Sequence, residues 1–432
     1  MEQIDRRVKL VPNKLWAGID IGKEHHHCVV IDEAGQRLFS SRIANDETAL
    51  TTLIDEALTL AAGGELLWAI DLNRGGAALV IGLLAARSQP VAYLTGLMMH
   101  RAAAGYRGEG KTDARDAFVI ADQARVRRDL GLLRPGDDIA VDLRILTGHR
   151  LDVVFDRTRQ INRLRAQLLE VCPTLERALT LTNQGPLMLL TRYQTPSAIR
   201  RAGVARIEAW LRKQHVRGAA ALAQKASVAA AQQSISLPGE TVAAQMIARL
   251  AQAVITLDAE IAELDTAIEE RFRRHRSADI IVSLPGFGPL LAAEFLAATG
   301  GDMAAFTSVD QLAGFAGLAP QPRDSGRING NLRRPRRYHR GLLRTMYLSA
   351  QISTRRSAQS HAFYHRKRSE GKTHKQAVLA LARRRVNVLW AMLRDNTIYH
   401  DSPPATGGSI SLTVFRRFSI SKFPIPANDR RT

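Results

Sequence analysis

The chain has 432 residues, is 45% hydrophobic and 24% charged, and carries a formal net charge of +20. These values are typical of a folded globular protein, and the length exceeds one ordinary core, so we expect two or three domains. The longest apolar stretch, 75–86, is too short to cross a bilayer, the amino terminus does not resemble a signal peptide, and two cysteines cannot form a disulfide framework. We therefore expect a cytoplasmic protein with no membrane partner.

The first part of the chain alternates short apolar runs with helical patterns. Strands are predicted at 15–21, 27–31, 37–43, 66–71 and 91–94. Helices are predicted at 46–62, with Asn45 or Asp46 as its cap, and at 75–87. Three strands in a meander followed by alternating helix and strand are typical of a mixed α/β sheet.

Four aspartates in this region are candidate metal ligands. Thr112 can cap a helix whose first turn carries Asp113 and Asp116 on one face, although acids there could simply suit the helix dipole. Asp20 and Asp71 lie at the ends of the first and fourth predicted strands. If those strands are neighbours, the four carboxylates converge and could hold Mg²⁺, and two such ions about 4 Å apart would support phosphodiester chemistry.

The middle of the chain is predicted to be helical. A long helix over 142–171 ends before Pro173, and residues 175–238 are rich in alanine. A second long helix starts at Glu240, and its apolar residues alternate three and four apart, at Ile247, Leu250, Val254, Leu257, Ile261, Leu264 and Ile268. This spacing predicts a coiled-coil seam, either with the earlier helix or between two protomers.

Two loops in the carboxy-terminal part are candidate functional segments. Gly286 and Gly288 lie in a Leu-Pro-Gly-Phe-Gly turn whose backbone N–H groups could grip a phosphate, as in a helix-hairpin-helix, or could form an ordinary helix–helix turn. Ser325 lies in a proline-bounded loop before Gly326, where serine is most often a turn residue.

The positive charge is concentrated in the second half of the chain. Residues 1–150 hold 19 Lys/Arg and 20 Asp/Glu, whereas 323–368 hold 13 basic residues and one acid. Such a block favours nucleic acid as the partner, mainly through phosphate contacts. Two helices, 338–353 and 375–395, are predicted here, the second with Arg383, Arg384 and Arg385 exposed. The candidate phosphate ligands are Arg323, Arg327, Arg333, Arg334, Arg336, Arg337 and Arg340.

The motifs together resemble a known family. Ile19-Asp20-Ile21-Gly22-Lys23, Trp68-Ala69-Ile70-Asp71 and Lys111-Thr112-Asp113-Ala114-Arg115-Asp116-Ala117 resemble the DEDD transposases of bacterial insertion sequences. Leu284-Pro285-Gly286-Phe287-Gly288, Leu318-Ala319-Pro320 and Asp324-Ser325-Gly326 resemble that family's carboxy-terminal domain. The likeness spans roughly 13–350. One departure is that the family usually has Glu-Thr-Gly where this chain has Asp71-Leu72-Asn73.

The resemblance implies an architecture and a function, a DNA recombinase that cuts, transfers and rejoins strands to excise and integrate an insertion element. The fold class is then α/β plus mainly α: a RuvC/RNase H-like domain over 13–135, a coiled-coil region over 140–275, a helical transposase domain over 276–400 and a loosely ordered basic tail over 401–432. Asp20, Asp71, Asp113 and Asp116 would bind Mg²⁺ or Mn²⁺, and Ser325 would act with them as a nucleophile. A guide (bridge) RNA, DNA and further copies of the chain would be the partners.

Two other functions fit the same residues. A junction endonuclease would use the four acids without Ser325. A nucleic-acid-binding protein with a lapsed catalytic site would explain the shorter side chain of Asp71.

Overall fold

The computed structural model describes residues 14–72, 75–94, 96–103, 105–106, 112–127, 130–133, 138–301, 303, 306–322, 332–333, 335 and 337–400. The chain divides into two compact units, Met1–Gly136 and Asp137–Thr432. The first holds the sheet, and the second is mainly helical.

The first unit is built on a six-stranded mixed sheet. Its strands are β1 (Lys14–Asp20), β2 (His25–Ile31), β3 (Arg37–Ala44), β4 (Glu65–Ile70), β5 (Val91–Tyr93) and β6 (Leu132–Leu133), in the spatial order β3-β2-β1-β4-β5-β6. The central pairs β1–β4 and β4–β5 are parallel, and the outer pairs are antiparallel. Because β1 and β4 are covered on both faces, most of their residues are buried.

Helices cover both faces of this sheet. On one face, α1 (Glu47–Ala61) and α2 (Ala78–Ala86), which follows a 3-10 turn at Gly75–Ala77, pack on a core that includes Ile19 and Trp68. On the other face, α4 (Asp113–Val126) packs on Trp16 and Val29. A further helix, α3 (Gly96–Ala103), precedes α4.

The predicted elements of this unit are present with small shifts of their ends. The prediction that the first and fourth strands are neighbours is confirmed, since β1 pairs with β4. Asp46 caps α1 by accepting from the Ala49 N–H, and Thr112 caps α4 by accepting from the Arg115 N–H. The sequence analysis missed α3 and β6, which are too short to carry a periodic pattern.

The second unit begins with a helical hairpin and its cap. Its helices are α5 (Asp138–Val171), α6 (Pro173–Ala178), α7 (Gln184–Arg192), α8 (Pro196–Lys213), α9 (Ala219–Ala231), α10 (Glu240–Arg273), α11 (Ala278–Ser283), α12 (Pro289–Thr299), α13 (Val309–Phe315), α14 (Arg340–Arg356), α15 (Ala358–Ser369) and α16 (His374–Asp395). A two-stranded ribbon pairs β7 (Gln321–Pro322) with β8 (Leu332–Arg333).

The long helices α5 and α10 run antiparallel within one chain. Arg271 pairs with Asp142 at 2.7 Å near one end, and the Arg157 guanidinium pairs with Asp258 further along. The helix α10 therefore has a packing partner, α5, within the same chain. Ile247, Val254 and Ile268 on it are fully buried, because α6–α9 cover one end of the hairpin and α11–α16 cover the other.

Among the residues that the structure describes, one helix, α10, is long and apolar enough to cross a membrane when judged by length and composition. Its charged residues Asp258, Asp265 and Arg271 pair with α5. Its buried apolar residues lie in the cores at the two ends of the hairpin. In this structure α10 is thus a packing helix of the second unit.

The carboxy-terminal helices form a core around α12, α14 and α16, and one prediction about it is wrong. Arg383, Arg384 and Arg385 were expected to be exposed together, but only Arg384 is. Arg383 is half-buried and pairs with Asp310, and Arg385 is 4% exposed. Consecutive residues on a helix turn by about 100°, so three of them cannot all face solvent.

Candidate active site

The register of the sheet places two of the predicted acids side by side. Ile19 of β1 is the parallel neighbour of Ile70 of β4, and Asp20 and Asp71 are the next residues in each strand direction. Because the strands are parallel and adjacent, their carboxyl ends meet at one edge of the sheet. Asp20 and Asp71 therefore share that edge.

The helix α4 brings the other two acids to the same edge. A side chain at Gly18 would place its Cβ 2.9 Å from the Cα of Ala121 and closer still to the Ala117 carbonyl oxygen, so the backbones of β1 and α4 are in direct contact. Asp113 and Asp116 lie in the first turn of α4, four residues and one residue before Ala117. Close packing at Gly18 thus fixes the position of Asp113 and Asp116 relative to Asp20.

Asp71 is the most perturbed of the four. Its Oδ1 is buried without a hydrogen-bond partner, while backbone N–H groups of Ile21 and of Asp71 itself favour the charged form. Burial raises the pKa of the Asp71 carboxyl, and the nearby charge of Asp116 raises it further. An unsatisfied buried carboxylate oxygen beside a second acid is a position that a cation would stabilise.

Asp113 lies near β2, the strand that pairs with β1 at Asp20. His27 of β2 is the antiparallel partner of Asp20, and the Ser40 hydroxyl lies 3.0 Å from its Nε2. Burial lowers the pKa of His27, and the charge of Asp113 partly opposes this shift. The charge of Asp113 therefore acts on His27, the residue paired with Asp20.

The backbone gathers the four acids, but their side chains do not form a closed metal shell. In the described ranges of the chain, no group of three His, Cys, Asp or Glu side chains is close enough to hold one ion. The donor chemistry nevertheless fits a hard divalent cation, because all four candidate ligands are carboxylates and Asp71 Oδ1 has no hydrogen-bond partner.

Two further contacts hold the first turn of α4. The guanidinium of Arg115, between the two acids, donates to the carbonyls of Tyr106 at 3.0 Å and Ala103 at 3.4 Å. The Tyr106 hydroxyl donates to Asp122 at 2.5 Å, and burial together with this carboxylate raises the pKa of Tyr106 to about 12. Asp122 also pairs with Arg125 at 2.7 Å, so its carboxylate is used within α4.

Asn45 ties together the segments that follow Asp20 and Asp71. Its Nδ2 donates to the carbonyls of Lys23 and Gly76, each at 3.2 Å, and its backbone N–H donates to Glu24 at 2.9 Å. Lys23 and Glu24 follow β1, whereas Gly76 follows β4. One side chain thus links the two acid-bearing ends of the sheet.

In the second unit, the Pro-Gly loop is held from behind by a buried cation. Gly286 has φ +93° and lies against Ser349 and Ser353 of α14, so it accepts no side chain. The Arg385 guanidinium donates to the Pro285 carbonyl at 2.6 Å and to the Ser349 hydroxyl at 2.8 Å. Gly288 caps α12, which begins at Pro289.

The predicted phosphate ligands are only partly within the described structure. Arg333, Arg337 and Arg340 are exposed on β8 and at the start of α14. Ser325 and four arginines lie outside the described residues, namely Arg323, Arg327, Arg334 and Arg336.

Comparison with known proteins decides the family. Residues 17–173 match a family model described as a transposase of the DEDD type, and 278–365 match one described as Transposase IS116/IS110/IS902 family. The chain is 60% identical over 393 residues to the insertion element IS900 uncharacterized 42 kDa protein of Mycobacterium paratuberculosis, covering 91% of this chain and 98% of that protein. The chain belongs to the IS116/IS110/IS902 family of transposases.

Two other insertion-element proteins extend this likeness. The transposase is 47% identical to the IS116 uncharacterized 44.8 kDa protein of Streptomyces clavuligerus, over 91% of its own length and 98% of that protein. It is 36% identical to the IS110 uncharacterized 43.6 kDa protein of Streptomyces coelicolor, over 90% and 96%. A transposase of this family is a DNA-recombining enzyme, and its DEDD domain implies dependence on a divalent ion.

Sequence reasoning missed three residues that shape these sites in the transposase. Gly18 carried a signal, since a glycine inside an apolar strand often marks a close backbone approach. Asn45 was noted only as a possible helix cap, whereas Asp46 has that role. Arg385 was expected on the surface, and nothing in the run of three arginines indicates which one is buried.

Proposed function

We propose that the transposase excises and inserts its element by divalent-metal-dependent cleavage at Asp20, Asp71, Asp113 and Asp116. The observation that carries this proposal is the parallel register of β1 and β4, with α4 packed on Gly18. These contacts put four carboxylates from three elements at one edge of one sheet.

The acids would act as an ion-binding and positioning set. Asp71, with its unpartnered Oδ1, and the neighbouring Asp116 are the first candidates to hold Mg²⁺ or Mn²⁺, with Asp20 and Asp113 completing the set. Such an ion would polarise the scissile phosphate and lower the pKa of an attacking oxygen. Arg115 and Asn45 would act as positioning residues, because their hydrogen bonds hold the acid-bearing segments in place.

Ser325 is our candidate nucleophile. Its Oγ would bond to the scissile phosphorus and lose its proton, while the bond from phosphorus to the leaving strand oxygen breaks and that oxygen is protonated. A hydroxyl of the second strand would then attack the phosphoserine, which restores Ser325 and seals the new junction. Arg327 and Arg333 would stabilise the charge that develops on the phosphate oxygens.

The first test removes the charge of the acids. Asp20→Asn and Asp113→Asn should each abolish Mg²⁺-dependent strand cleavage and element excision, while Glu56→Gln, an exposed acid on α1, should behave as wild type. Full recombination by either aspartate variant would disprove the assignment. If even the wild-type protein binds DNA without any Mg²⁺-dependent breakage, the chain is a binding protein with a lapsed site.

The second test separates a recombinase from a junction endonuclease. The endonuclease is kept as an alternative because all four acids lie in the first unit and could cut without Ser325. Ser325→Ala should abolish strand transfer and the covalent protein–DNA species seen on denaturing gels, whereas Ser234→Ala, at an exposed site, should retain both. Continued cutting by Ser325→Ala favours the endonuclease.

We also propose a guide RNA and a homo-oligomer as partners. The net charge of +20 and its concentration after residue 150 support binding of a polyanion. Sequencing the nucleic acid that co-purifies with the protein should recover one RNA species encoded beside its gene, and mass measurement of that complex should give a dimer or tetramer. Random fragments bound to a monomer would disprove both.

A further inference from the structure

The helix α15 presents an outer face that the site described above does not use. Along this helix only Ser360 is buried, and Phe363, Tyr364 and Lys367 are partly buried on the same side, toward α14 and α16. The opposite face carries Ala358, Ala362, His365 and Ser369, all exposed. Their spacing of four, three and four residues places them in one line along the helix.

Small side chains dominate that line, and polar and basic groups flank it. Gln359 and Arg366 lie on one side, and His361 and Arg368 lie on the other. We call the line of Ala358, Ala362, His365 and Ser369 the crest of α15. Its two alanines and its serine let the helix axis come close to a partner surface. The longer side chains beside them can then reach sideways along that surface.

The charge around α15 selects a polyanion. Residues 340–395 contain 13 Lys/Arg and two acids. Both acids are already paired locally, Glu370 with Lys367 at 2.6 Å and Asp395 with Arg394 at 2.7 Å. Arg355 and Arg356, just before α15, are exposed as well. Arg344 and Arg383 pair with acids of other helices, Glu294 and Asp310, so a net positive charge remains around the outer face of α15.

The helix is also held rigidly before any partner binds. Ser357 caps it by accepting from the Ser360 N–H, and the Tyr364 hydroxyl lies 2.8 Å from Nδ1 of His374 on α16. The guanidinium carbons of Arg366 and Arg384 lie 5.1 and 5.2 Å from the centroid of the Phe363 ring. A preorganised helix loses little conformational entropy when it docks.

We propose that α15 enters the major groove of duplex DNA, with its crest against the base edges and its flanking cations on the phosphates. The groove of B-form DNA is about 12 Å wide and admits an α-helix, whereas the major groove of an RNA duplex is too narrow. The geometry therefore points to the DNA rather than the RNA partner. This inference rests on DNA as the substrate of the family but not on the acidic site.

The test measures binding of the full chain to labelled duplexes of about three helical turns, in EDTA so that cleavage plays no part. Ala362→Glu adds a carboxylate to the crest and should weaken DNA binding at least tenfold. Ala221→Glu, on the exposed face of α9, is the matched control and should bind as wild type. Arg368→Gln should lower the slope of log affinity against log salt by about one.

Three results would overturn the proposal. The first is equal DNA affinity for Ala362→Glu and Ala221→Glu in protein whose circular dichroism melts match. The second is a loss confined to an RNA duplex of the same sequence, which would make α15 an RNA-binding surface. The third is unchanged wild-type affinity for DNA whose major groove is filled by glucosylated hydroxymethylcytosine. Because these assays contain no metal, their outcome is independent of whether Asp20 and Asp113 are catalytic.

Discussion

Replacing Gly18 with alanine tests how the fold positions the acids. The added methyl group would point from β1 into the backbone of α4, with the Ala121 Cα at 2.9 Å and the Ala117 carbonyl oxygen nearer. Neither neighbour is the end of a flexible side chain. Ordinary van der Waals contact starts at 3.4 Å, so α4 must move outward by at least about half an ångström from Ala121 and further to clear Ala117.

That movement has a structural and a functional cost. Overpacking of this kind destabilises a fold by about 1–3 kcal/mol, and we expect the free energy of unfolding of the first unit to fall by that amount. Asp113 and Asp116 would move with α4 while Asp20 and Asp71 stay on the sheet. Because a misplacement of about 1 Å can cost roughly a hundredfold in rate, DNA cleavage by Gly18→Ala should fall by one to two orders of magnitude.

The assay combines chemical denaturation with Mg²⁺-dependent cleavage at saturating metal. Gly82→Ala is the matched control, because Gly82 lies within α2 and a Cβ there meets nothing within 4 Å. It should leave cleavage unchanged and stabilise the unit by up to about 1 kcal/mol, since alanine is the better helix former. If Gly18→Ala cleaves DNA at the wild-type rate with wild-type stability, α4 does not set the acid geometry.

Three other changes have defined outcomes. In EDTA at neutral pH, Asp71→Asn should have a higher free energy of unfolding than wild type. Burial raises the pKa of the Asp71 carboxyl, so its ionisation destabilises the wild-type fold as pH rises through the carboxyl range. The difference between the two proteins should vanish at low pH. A gap that widens on acidification would contradict this. Asn45→Ala should cost about 1–3 kcal/mol and raise the Mg²⁺ concentration for half-maximal cleavage, and an unchanged metal titration would leave it a purely structural residue. Arg385→Met should lower the free energy of unfolding by about 1–3 kcal/mol, because the Pro285 carbonyl loses its partner, and should weaken DNA binding in EDTA. Arg384→Met, on the exposed side, should keep wild-type stability. Equal denaturation midpoints for the two variants would contradict the role of Arg385.

Local patterns were sufficient for elements that carry their own signal. Asp46 and Thr112 were readable as caps because a cap is a hydrogen bond within four residues. The ends of β1 and β4 were readable because apolar runs stop there. By contrast, α15 has no apolar stripe, since it buries almost nothing, and it was not predicted.

Two outcomes in the second unit depended on partners distant in the chain. The seam of α10 predicted a paired helix, but apolar spacing is the same whether the partner is α5 or another copy. Complementary charges, such as Arg271 with Asp142, are satisfied within the chain. The burial of Arg385 likewise depends on its hydrogen bonds to Pro285 and Ser349, which lie far from it in sequence.

By itself the sequence determined that acids stand at strand and helix ends in the first unit and that cations crowd the second, because both follow from residue order and composition. Only the tertiary structure decided that Asp20 and Asp71 are neighbours and that α4 lies close enough for Asp113 and Asp116 to join them. The reason is that strand pairing and the contact at Gly18 join segments about 50 to 100 residues apart. No local pattern encodes the distance between such segments.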